Sequence, residues 1–131
     1  MLALLILAGC NSTPTEPASS QPVREASVVL QYGTTSQVSS DLRVSFAQLV
    51  EDSRCPASVA CVWQGNGAIR LDVAIGGSAH SVTLNTAGGE FPREASVGGY
   101  TFTLVTLDPQ RQTTDPIPVQ QYRATIRVTR A

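Results

Sequence analysis

From residue 28 onward the apolar positions of this chain recur every second residue, which marks strands with one face buried. Leu42, Val44 and Phe46 alternate with polar residues, and Ile69, Leu71, Val73 and Ile75 do so around an outward Arg70 and Asp72. The same period runs through His80-Ser-Val82-Thr-Leu84, Tyr100-Thr-Phe102-Thr-Leu104, Tyr122 to Val128, and Val28-Val-Leu30-Gln-Tyr32. Residues 60–64 are a further candidate strand. Phe46, Leu49 and Val50 also fit one helical turn, but a strand with a bulge keeps the pattern of its neighbours and is preferred. Glycines between the runs supply turn conformations, at Gly33, Gly65-Asn-Gly67, Gly76-Gly77, Gly88-Gly89 and Gly98-Gly99. About six or seven short strands at this spacing predict an all-β domain, a small antiparallel β-sandwich or barrel. Residues 108–119 hold three prolines and no alternation, so they are expected to form a long surface loop.

The N-terminal part reads differently. Residues 1–10, MLALLILAGC, are apolar up to Cys10, and residues 11–26 are rich in Ser, Thr and Pro. Leu7-Ala8-Gly9-Cys10 resembles the lipobox of exported bacterial lipoproteins, whose signal peptide is cut before a Cys that carries acyl chains. The resemblance implies a signal peptide over residues 1–9, with its basic start lying upstream because nothing before Cys10 is charged. It also implies lipidation with palmitate-type chains at Cys10, and a membrane contact made through that anchor. An apolar run this short falls far below the roughly 20 residues that a transmembrane helix needs. Residues 10–26 then form a flexible tether, since they cannot bury enough surface to offset the entropy of ordering them. Residues 27–131 form the β-sandwich domain. Asn11 follows the acylated position where an inner-membrane retention signal would have Asp, so the outer membrane is expected in a Gram-negative host. Otherwise the expected place is the outer face of the cytoplasmic membrane.

Ten acidic and nine basic residues nearly cancel, and no run of like charge exceeds two, so nothing points to nucleic acid as a partner. Every basic residue is Arg, which removes lysine nucleophiles and Schiff bases from consideration. Beyond Cys10 the cysteines are Cys55 and Cys61. In an oxidising compartment they are expected to pair, stapling a short loop for about 2 to 3 kcal/mol by the chain-entropy relation. A redox role is the alternative, but the spacing is not that of a Cys-x-x-Cys motif. Two Cys and His80 leave a zinc site short of ligands. No cofactor is expected.

Residues 52–65, DSRCPASVACVWQG, are the densest constellation in the chain, with both paired cysteines and the only Trp. Trp63 lies two residues after Cys61, so on an extended chain it would share a side with the disulfide and belong to the core; exposed, it would be a recognition anchor. Asp52 and Arg54 would brace the loop or meet a partner. The candidate binding surface is therefore Asp52, Arg54, Trp63 and Gln64. The pattern D-S-R-C-P-x4-C-x-W-x-G, followed by Gly99-Tyr100-Thr-Phe102-Thr-Leu104 and Asp108-Pro109, resembles a group of small bacterial lipoproteins and secreted proteins of uncharacterised function. That resemblance covers residues 28–128. It implies export, a disulfide and an all-β domain, and it carries no activity over to any residue.

Catalysis finds little support. His80 is in phase with Val82 and Leu84 and is expected to point inward as a core histidine, and none of the G-x-S-x-G, H-E-x-x-H or P-loop signatures occurs. The leading expectation is a membrane-anchored envelope lipoprotein acting as a non-catalytic binding module, with an envelope protein or glycan as partner. A small-molecule or metal carrier is the alternative, and an envelope hydrolase a weaker one.

Overall fold

The computed structural model describes residues 24–130. The expected signal peptide, the lipidation site Cys10 and nearly all of the tether lie outside the described residues. Eight strands follow in order: β1 (Glu25–Gln31), β2 (Thr35–Ser39), β3 (Leu42–Asp52), β4 (Gly67–Ile75), β5 (Ser78–Asn85), β6 (Glu94–Val97), β7 (Tyr100–Asp108) and β8 (Arg123–Arg130). They make two four-stranded antiparallel sheets, ordered β1-β8-β7-β6 and β2-β3-β4-β5. The predicted sandwich is therefore the fold, with two sheets that remain open. Among the described residues no helix is long and apolar enough to cross a membrane.

The alternation places the core as expected. Leu42, Val44, Phe46, Ile69, Leu71 and Val73 from one sheet meet Leu30, Phe102, Leu104, Ile126 and Val128 from the other, all fully or almost fully buried. Each such side chain contributes about 1.5 to 3 kcal/mol relative to exposure. His80 keeps the inward phase of β5 and is half-buried, opposite Val73 of β4. Its neighbour Ser81 points to the other face, where its hydroxyl lies 3.3 Å from the Asp72 carboxylate.

Three expectations need correction. Strands β2 and β6 are additional to the predicted set; each is a short, polar strand at a sheet edge, with too few apolar positions to show a period. Residues 60–64 are not a strand but part of the stapled loop. Strand β1 takes in Glu25 and Ala26, which composition alone assigns to the tether, because β8 supplies them with partners at Thr129 and Val128.

The bulged strand is present in β3. Its pairing with β4 shifts between Phe46 and Gln48 and again between Leu49 and Glu51. Each shift adds one residue to the period, so the inward series runs Leu42, Val44, Phe46, Leu49, Asp52. Val50, which a helical turn would direct inward with Leu49, is half exposed. A carboxylate is thereby delivered to the end of the core.

Candidate functional site

Asp52 ends β3 where three connections meet: residues 53–66, 86–93 and 109–122. Its side chain is 7% exposed and that of Arg54 is 10% exposed. The Arg54 guanidinium donates Nε to Asp52 Oδ1 at 2.8 Å and Nη2 to Oδ2 at 2.9 Å, a bidentate pair. Two further donors reach the end of β7 and the residue beyond it: Nη1 to Leu107 O at 2.6 Å and Nη2 to Pro109 O at 2.9 Å. The Tyr122 hydroxyl donates to Asp52 Oδ2 at 2.5 Å. Arg111 returns the connection by donating to Arg54 O at 3.2 Å, and the amides of Ala57 and Ser58 donate to the carbonyls of Arg111 and Gln112. Asp52 and Arg54 are thus a clamp between two loops, with both side chains largely buried.

Burial works against the Asp52 charge, but the hydrogen bonds from Arg54 and then Tyr122, with the guanidinium charge, outweigh it and hold the carboxyl below its ordinary 3.8. Burial and the hydrogen bond to Asp52 push the Tyr122 phenol from 10.0 up to about 12. The signs oppose. A lowered carboxyl contributes stability that is present above its unfolded value and lost as pH falls through the folded one. A raised phenol contributes stability that is whole below its unfolded value and lost as pH rises from about 10 towards about 12, because the unfolded chain releases its proton first. We expect wild type to lose stability over that alkaline window relative to Tyr122→Phe, in denaturant titrations at stepped pH. Parallel curves would show that the phenol is not held by Asp52.

A second network holds the third loop. Asn66 and Asn85 are buried, with Asn66 Nδ2 donating to Asn85 Oδ1 at 2.9 Å and Asn66 Oδ1 accepting from the amides of Thr86 and Ala87. Asn85 Nδ2 donates to Pro92 O at 3.0 Å, and Gly67 N donates to Thr86 Oγ1 at 2.8 Å. Neither asparagine stands out in the sequence. The available signal is Asn66 between two glycines, which also reads as a simple turn.

The stapled loop leaves the sandwich as an extension of the β3–β4 hairpin, through Ser53 N to Asn66 O at 2.8 Å and Cys55 N to Gln64 O at 3.0 Å. Cys55 and Cys61 form the disulfide across it. Pro56 is buried. Gly65 has a positive φ, and a Cβ there would stand 1.8 Å from Ser53 O, so only glycine closes the base of the loop.

Trp63 departs from the core expectation. It is 82% exposed, and Val62 beside it is exposed too. The two-residue rule holds for an extended chain, whereas residues 57–63 run through turns and bends outside any strand and are exposed. Trp63 lines a cleft of about 370 Å³ between the stapled loop and residues 87–91, shared with Phe91, Glu51 and Glu90. Gln64, exposed on the same side, donates to Ala87 O at 3.2 Å and ties the two walls. Of the four residues expected at a candidate binding surface, Trp63 and Gln64 are exposed side by side, while the Asp52 and Arg54 side chains are largely buried. Phe91, half exposed, is the member that sequence reasoning missed.

Among the described residues no three His, Cys, Asp or Glu side chains are grouped so that they could hold a metal ion. In comparisons with known proteins, no family model, no curated protein and no solved structure matches this chain.

Proposed function

We infer that this chain is an exported envelope lipoprotein, anchored through acyl chains on Cys10, whose sandwich is a non-catalytic binding module for an envelope protein or glycan. One observation carries the reading: Trp63 is 82% exposed on a loop whose base is braced by a disulfide and a buried ion pair. Asp52, Ser53, Arg54, Cys55, Pro56, Cys61 and Gly65 are each buried, bonded or sterically required at their positions. Trp63 has no such role. A large aromatic left in water on a rigid support is the usual form of a binding anchor. The lipobox resemblance supports the location: outer membrane in a Gram-negative host, outer face of the cytoplasmic membrane otherwise. A tether of this composition gives the domain reach while raising its effective concentration near the surface.

The test is made in the producing bacterium. A photo-crosslinking amino acid at position 63 should give adducts with an envelope component, while the same group at Thr83, exposed on the outer face of β5, should give none. Cys10→Ala should abolish incorporation of labelled fatty acid. Equal labelling from both positions, or none from either, would overturn the binding reading, and fatty acid retained on the Cys10 variant would overturn the anchor.

A further inference from the structure

The cleft under Trp63 has a chemical bias that narrows what it would hold. Its lining includes two aromatic residues, Trp63 and Phe91, and its charged lining residues are Glu51 and Glu90. No basic side chain lines it. Arg93, close by in the chain, engages its guanidinium with the carbonyls of Thr86, Leu104 and Val105 at 2.7, 3.0 and 2.9 Å. Arg54 is buried in the clamp. Among the described residues the ion pairs are Arg54 with Asp52 and Arg70 with Asp72, so neither glutamate has a cation. Glu51 accepts one hydrogen bond, from Asn66 Nδ2 at 3.2 Å, which orients its carboxylate at the cleft wall.

Aromatic faces and carboxylates together favour one ligand class. The negative face of an indole attracts a cation, and carboxylates nearby add charge and hydrogen-bond acceptors without competing for the same surface. A neutral sugar would use the rings and leave both charges uncompensated. We propose that this cleft receives the arginine or lysine side chain of a basic segment in a protein partner, with Trp63 and Phe91 against the cation and Glu51 and Glu90 pairing with it. The proposal rests on the binding-module reading and specifies its partner. Steering by the two carboxylates makes the interaction sensitive to salt.

The experiment uses the full chain in neutral detergent, titrated with acetylated tetra-arginine, with its uncharged isostere tetra-citrulline, and with chitotetraose, and read by chemical shifts of the Ala87 and Gly88 amides. Tetra-arginine should saturate, and tetra-citrulline should bind weaker by a factor on the order of ten or more. Glu51→Gln with Glu90→Gln should remove most of that difference and its salt dependence. The amide carbonyl that Glu51→Gln introduces can still accept from Asn66, so the fold is retained. Trp63→Ala should weaken the arginine peptide by a similar factor with unchanged shifts in β7 and β8. Equal binding of the two peptides, indifference to the paired glutamine variant, or a preference for chitotetraose would overturn the proposal. If position 63 still crosslinks a partner in the cell, the module reading survives that failure. If it does not, both fall.

Discussion

Arg54→Ala is expected to cost the domain about 3 to 5 kcal/mol, the range for removing one partner of a buried ion pair. Arg54 makes four side-chain bonds, two to Asp52 and one each to Leu107 O and Pro109 O. Its loss leaves a carboxylate that is 7% exposed with the Tyr122 hydroxyl and a long bond from the residue-54 amide as its donors, Pro109 O without the guanidinium, and Leu107 O with only Gln110 Nε2 at 3.3 Å. The damage should fall on the whole fold, because the lost contacts join the end of β3 to the end of β7. A double-mutant cycle with Asp52→Ala apportions it: the double variant should cost less than the sum of the singles by about 1 to 3 kcal/mol. Chemical denaturation of the four proteins gives the answer. Additive losses would mean that the two residues do not act as a pair. Loss of under about 1 kcal/mol for Arg54→Ala would mean that the clamp is not part of the fold's stability.

Gly65→Ala should cost about as much, by a different mechanism. Its φ of +70° is strained for any residue with a Cβ, and that Cβ would meet Ser53 O at 1.8 Å and Ser53 C at 2.5 Å. Both obstacles are backbone, so no side chain can rotate to make room. Gly76→Ala is the internal control, since it also has a positive φ but open space around the added atom. The control should lose roughly 1 to 2 kcal/mol from strain alone. Gly65→Ala should lose about 3 kcal/mol or more, because the base of the loop must also separate. If the two variants melt alike, the close approach of residues 53 and 65 is not a feature of the folded protein.

The fold is legible in the sequence where one face of a strand is buried and the other is wet. Six runs with that pattern correspond to β1, β3, β4, β5, β7 and β8, and the bulge read at Phe46 to Val50 is the device that turns Asp52 inward. Strands β2 and β6 escape because an edge strand with one or two apolar residues has no measurable period. The disulfide is legible from the cysteine count together with the oxidising compartment that the lipobox resemblance implies, and the bracing role of Asp52 and Arg54 from their place beside a stapled loop. Trp63 reads as core because aromatic burial is the default and extended geometry is assumed. Both assumptions fail in a loop that projects past its sheets. Phe91 cannot be found from spacing at all: it enters the cleft only because Asn66 and Asn85 hold residues 86–92 against the stapled loop, a contact between segments about twenty residues apart in the chain.

The central claim is that the motif at residues 52–65 is a rigid scaffold for one exposed aromatic. Since Trp63 is the only tryptophan, its fluorescence reports that residue alone. The direct measurement is acrylamide quenching of the native protein, compared with the same protein unfolded in denaturant. At 82% exposure the native quenching constant should approach that of the unfolded chain, with emission close to that of indole in water. A blue-shifted emission with strongly protected quenching would place the indole in the core and contradict the account.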